Sequence, residues 1–61
     1  MDLHDDILQG ADQIAEYVFG DRKKKRRVYR LKDELPLFWL GGMLCGRKSA
    51  IREHIESQER R

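Results

Sequence analysis

The chain has 61 residues, of which 39% are hydrophobic and 39% charged, with a formal net charge of +2. That bounds the reading to one small domain with a thin core, too little interior for a deep substrate pocket. A single cysteine excludes an intrachain disulfide, and Cys45 with the distant His4 and His54 matches no zinc-ligand spacing.

The lone thiol fits a reducing cytoplasm. The acidic start does not read as a signal peptide, and no apolar run approaches the length that crosses a bilayer. A cytoplasmic protein with no membrane partner is therefore expected.

The modest net charge hides a strong segregation. Residues 1–21 contain six acids (Asp2, Asp5, Asp6, Asp12, Glu16, Asp21) and no Lys or Arg. Residues 22–32 contain eight bases and no acid, and residues 33–61 balance. Such a dense basic block creates a local positive field that the total charge does not report.

Residues 1–7 read as a flexible start, with Ile7 and Leu8 beginning a short stretch that packs on the body. Gly10 breaks the chain. Ala11, Ile14, Ala15, Val18 and Phe19 then recur at one helical stripe, and Gly20 ends that helix.

A second helix carries Val28 and Leu31 on its core side, with Asp21 as a possible N-cap and regular helix beginning near Lys24. Arg22, Arg26 and Arg30 fall opposite, flanked by Lys23, Arg27 and Tyr29. The helix should end near Asp33-Glu34, because acids sit poorly at a helix C-terminus. Pro36 forbids its continuation.

Leu37-Phe38-Trp39-Leu40 has strand propensity, Gly41-Gly42 signals a hairpin, and Met43-Leu44-Cys45 can return. Two registers are open. A two-residue turn pairs Leu40 with Met43; a three-residue loop pairs Leu40 with Leu44. The second is preferred, since it gathers Phe38, Leu40 and Leu44 on one face and leaves Trp39, Cys45 and Arg47 outside. The last helix runs from Ser49, its cap, to about Arg60, with Ala50, Ile51, His54, Ile55 and Gln58 on one side.

The run Arg22-Lys23-Lys24-Lys25-Arg26-Arg27, followed by Arg30 and Lys32, carries the chemistry. Such a helix neutralises phosphates and releases counterions, and Arg can read guanine in the major groove. The bland alternative is a solvated basic face. The Gly-Gly hairpin with Trp39 and Arg47 could likewise touch a nucleic acid or simply close the core. His54 reads as a core-edge residue and Cys45 as inert. No nucleophile–base or paired-carboxylate arrangement is present, so neither an enzyme activity nor a cofactor is expected.

Ile14-Ala15-Glu16-Tyr17, Val28-Tyr29-Arg30-Leu31, Leu35-Pro36, Leu40-Gly41-Gly42 and Arg47-Lys48-Ser49-Ala50, in that order, resemble the excisionase-type, MerR-like winged helix-turn-helix family. The resemblance spans about residues 8–58 and is closest to small DNA-binding proteins of phage, integrative-element and plasmid origin. It implies a mostly helical fold with a small β-hairpin: helix, recognition helix, wing, helix.

It further implies that Val28-Tyr29-Arg30 lies on the recognition helix, that a wing at Gly41-Gly42 meets the DNA backbone, and that Arg47 touches phosphate. The full set of expected DNA contacts is Arg22, Lys23, Lys24, Lys25, Arg26, Arg27, Tyr29, Arg30, Trp39, Gly41, Gly42, Arg47 and Lys48.

The expected function is sequence-specific binding of double-stranded DNA, as an excisionase (recombination directionality factor) or a small transcription regulator. Expected partners are the duplex, further copies on adjacent sites, and a recombinase or other element protein. The alternative is a packaging module like a phage small terminase subunit, or another partner-docking module.

Overall fold

A computed structural model describes residues 3–60. The chain opens with a single helical turn, α1 (Leu3–Asp6), and a short strand, β1 (Ile7–Gln9). Helix α2 (Ala11–Phe19) follows, its apolar stripe turned inward: Ala11, Ile14 and Ala15 are buried, while Val18 and Phe19 pack against the core's edge. It ends where the Gly20 N–H returns to the Glu16 carbonyl at 3.0 Å.

A 3-10 turn at Arg22–Lys24 leads into α3 (Lys25–Leu31). The Asp21 carboxylate accepts from the Lys23 N–H at 2.9 Å, so the last acid of the acidic third caps the turn that starts the basic segment. Turns through Pro36 connect to β2 (Leu37–Leu40) and β3 (Met43–Arg47), and α4 (Lys48–Glu59) completes the chain. None of these helices is long and apolar enough to cross a membrane.

The fold is thus mostly helical, with a three-stranded antiparallel sheet ordered β1-β3-β2. The third strand, β1, was not foreseen. It pairs with β3 through Ile7 and Arg47, Leu8 and Gly46, and Gln9 and Cys45. A mobile reading of residues 1–7 does not fit this arrangement over the described positions. Asp6 is buried and Ile7 is held in a ladder, while Met1 and Asp2 lie outside the described residues.

The hairpin also departs from the preferred register. Leu40 pairs with Met43, Trp39 with Leu44, Phe38 with Cys45 and Leu37 with Gly46. The cause is local. Gly41 and Gly42 both have positive φ, at 61° and 80°, as a two-residue type I′ turn needs. A one-residue change of register exchanges the faces of the sheet. Leu8, Leu37, Trp39, Leu44 and Gly46 therefore share the side facing the helices. Phe38, Leu40, Met43, Cys45 and Arg47 share the other.

The core gathers Leu8, Ala11, Ile14, Ala15, Val28, Leu44 and Ile51, with Leu37 and Ile55 at its margin. Gly46 lets α4 approach the sheet. A Cβ there would lie 2.7 Å from Leu37 Cδ2 and 3.0 Å from Ile51 Cδ1. Ile51 is fully buried and has no room to yield. Gly46→Ala is therefore expected to cost about 1–3 kcal/mol through overpacking. A thermal melt equal to that of the wild type would mean that sheet and helix are not so closely apposed.

Candidate nucleic-acid interface

Helix α3 rests on α2 through Val28, which is completely buried, and Leu31, which is half-buried. Anchoring by these two leaves the rest of the segment in solvent: Arg22, Lys23, Lys24, Lys25, Arg26, Arg27, Tyr29 and Arg30 are all exposed. Bases in the first turn oppose the helix dipole and repel one another, so they weaken the helix that carries them. Residues that break a local rule in this way commonly mark a functional surface.

The eight bases of this segment are not equivalent. Arg22 turns back to Asp12 on α2, with Nη2 2.8 Å from Oδ2. That hydrogen bond holds the Asp12 carboxyl below its ordinary value and raises the Arg22 guanidinium above its own. Arg27 lies over the Phe19 ring, 5.8 Å from its centroid, and Lys32 approaches Asp33 at 3.7 Å. Lys23, Lys24, Lys25, Arg26 and Arg30 have no side-chain partner among the described residues. The pattern expected opposite Val28 thus reduces to Arg26 and Arg30, because Arg22 is drawn off to α2.

The hairpin tip, Gly41-Gly42, is exposed, as is Trp39 beside it. Arg47 ends β3 and Lys48 opens α4, at the end of the strand opposite the tip. With a rise of about 3.4 Å per residue, Arg47 lies roughly 14 Å along the strand from Met43. The sequence suggests an Arg47 free to meet phosphate. Instead its Nε donates to Asp6 Oδ2 at 3.0 Å, and it shares a sheet face with Phe38 rather than with Trp39. The Lys48 carbonyl accepts from the Tyr17 hydroxyl at 3.4 Å.

Asp6 is the residue that sequence reasoning passed over. Its carboxylate also accepts from the Ser49 hydroxyl at 2.7 Å and from the Ser49 N–H at 3.0 Å. Ser49 is consequently not the cap of α4 but lies inside its first turn. The flanking Arg47 supplies no cap, and Asp6 satisfies the helix start from a distant part of the chain. The Ser49 hydroxyl foremost, then the Ser49 N–H and Arg47, hold the Asp6 carboxyl below its ordinary value, against the opposing effect of burial. The available signal was the lack of any good cap residue before Lys48.

Away from the basic surface, an open groove between the end of α3 and α4 has an apolar floor of Leu31, Leu35 and Ile55, with Glu34, His54 and Glu59 around it. Among the described residues no three His, Cys, Asp or Glu side chains come together in a way that could hold a metal ion. No family model, curated protein or solved structure matches this chain.

Proposed function

We propose that this chain binds double-stranded DNA as a winged helix-turn-helix, with α3 as the recognition helix and the β2–β3 hairpin as the wing. The observation that carries the reading is the set of exposed bases on the α3 segment, Lys23, Lys24, Lys25, Arg26 and Arg30, without partners among the described residues. The order of elements supports it. Two packed helices are followed by a glycine-tipped hairpin, and α3 is anchored on one face only.

In this reading Arg26 and Arg30 face base edges in the major groove, and Lys23, Lys24 and Lys25 meet phosphates. The Gly41-Gly42 tip approaches the backbone of the duplex, which the absence of side chains permits. The role follows from the resemblance in the sequence: an excisionase-type recombination factor or a small transcription regulator.

The test is a titration of duplex DNA, selected from a random pool, at several salt concentrations. Neutralising about five phosphates gives a slope near −4 to −5 in log K against log salt. Arg26→Ala and Arg30→Ala should each cost about 1–3 kcal/mol on the selected site and little on random duplex. Lys23→Ala should weaken both alike. Binding that is absent at low salt, or insensitive to salt, would overturn the reading. Equal losses on both duplexes for the arginine variants would remove Arg26 and Arg30 from base recognition.

A further inference from the structure

Strand β2 is one of the two edge strands of the sheet, and β3 is its principal neighbour. The type I′ turn makes Leu40–Met43 a hydrogen-bonded pair, and alternation makes Phe38–Cys45 the next. The peptide groups of Leu37 and Trp39 then point away from β3. The Leu37 N–H is taken by the Leu35 carbonyl at 2.7 Å. The Trp39 N–H and carbonyl and the Leu37 carbonyl are left facing the open edge.

The side chains there are equally unpartnered. Trp39 and Leu40 are each 58% exposed, Met43 47% and Phe38 37%. Protein edges are normally guarded by a charge, a proline or a bulge. Leu37-Phe38-Trp39-Leu40 has none of these, and Pro36 stands just outside the strand.

We propose that β2 pairs antiparallel with β2 of a second copy, about a two-fold axis through Trp39. Each Trp39 N–H then donates to the Trp39 carbonyl of the other copy. Phe38 lies opposite Leu40 of the other copy, and the relation repeats on the far side of the axis, as an isologous contact requires. These are close, non-hydrogen-bonded neighbours on the sheet face that also carries Met43. The two three-stranded sheets become one of six strands, and no charge enters the seam.

A second copy fits this edge because it brings an equally apolar, uncharged strand, so that Phe38 meets Leu40 twice and no charge is buried. Aromatic side chains carry about 150–250 Å² each. Phe38, Trp39, Leu40 and Met43 are already about half buried, so with the strand backbone the two copies bury at most on the order of 800 Å², below stable specific interfaces and in the range of weak, transient contacts. That area fits a reversible dimer rather than an obligate one. Trp39 then serves the contact between copies and not the DNA.

Sedimentation equilibrium without DNA, from about 10 µM to about 1 mM protein, tests this independently of the DNA reading, because a contact of this size belongs in the weak range. The average mass should rise towards twice that of the chain at the upper concentrations, and the Trp39 amide should gain protection from hydrogen exchange in parallel. Trp39→Lys should stay monomeric with an unchanged melting temperature. Should that variant fold poorly, Leu40→Lys gives the same reading from the neighbouring contact. A wild-type protein that remains monomeric at about 1 mM, or a dimer that survives both lysine variants, would overturn the proposal.

Discussion

Replacing Ile51 by Asp is expected to abolish the cooperative thermal transition of this protein. Ile51 is fully buried where α4 meets the sheet, beside Gly46 and among Leu8, Ile14 and Leu44. Among the described residues the buried charged side chain is Asp6, itself an acid, so no buried cation is there to pair with a carboxylate. A buried unpaired charge costs more than the 3–5 kcal/mol or so that a core of this size supplies. Val28→Asp should act in the same way, since Val28 is what holds α3 on the body. Ile51→Val, which removes one methylene, should cost only about 0.5–1.5 kcal/mol and retain a sharp transition. Circular dichroism on heating separates the outcomes. A cooperative melt for Ile51→Asp would show that α4 is not seated on this core.

The second large effect concerns Asp6. Asp6→Ala leaves the Ser49 N–H and hydroxyl and the Arg47 guanidinium without their shared acceptor. A drop in melting temperature on the order of 10 °C is expected, as for losing several coupled contacts in a domain of this length. The same carboxylate gives the protein an acid limit. Its folded pKa lies below the ordinary value of 3.8, so its contribution is fully present above that value and is lost as pH falls through the folded pKa. Asp12, lowered by Arg22, acts in the same direction from an exposed position. Melting temperature should therefore be flat near neutrality and fall below about pH 4, with a shallower fall in Asp6→Ala. An identical acid profile in wild type and variant would exclude Asp6 as the group responsible.

Helices α2 and α4 and the basic segment could be read from the chain because each depends on local signals. The Ala11–Phe19 stripe, the Gly20 stop and the Asp21 cap are decided within a few residues. The features that escaped are decided at a distance. Ile7-Leu8-Gln9 is too short to show a period, and it is a strand only because β3 lies beside it. Asp6 looked like one acid among six, yet it is distinguished by Arg47 and Ser49.

The hairpin register failed for another reason. Grouping Phe38 and Leu40 with Leu44 maximised apolar burial, but the glycine pair fixed the turn at two residues. For the candidate interface, the exposure of the basic block was legible. The diversion of Arg22 to Asp12 and of Arg47 to Asp6 was not, because both acids come from elements whose placement depends on the whole fold.

The bond between Asp6 and Ser49, 43 positions apart, also bears on how the chain reaches its fold. The α2–α3 pair is built from near neighbours in sequence and closes at small entropic cost. Bringing the first strand against β3 requires a loop of most of the chain, whose entropy is lost before any contact in it is regained. Until that encounter, β3 has one bare side and α4 has no acceptor for its first turn. The opening residues thus supply contacts between distant parts of the chain, the kind that form at the greatest entropic cost. A chain lacking everything before Gly10 would keep its helical signals and lose those contacts.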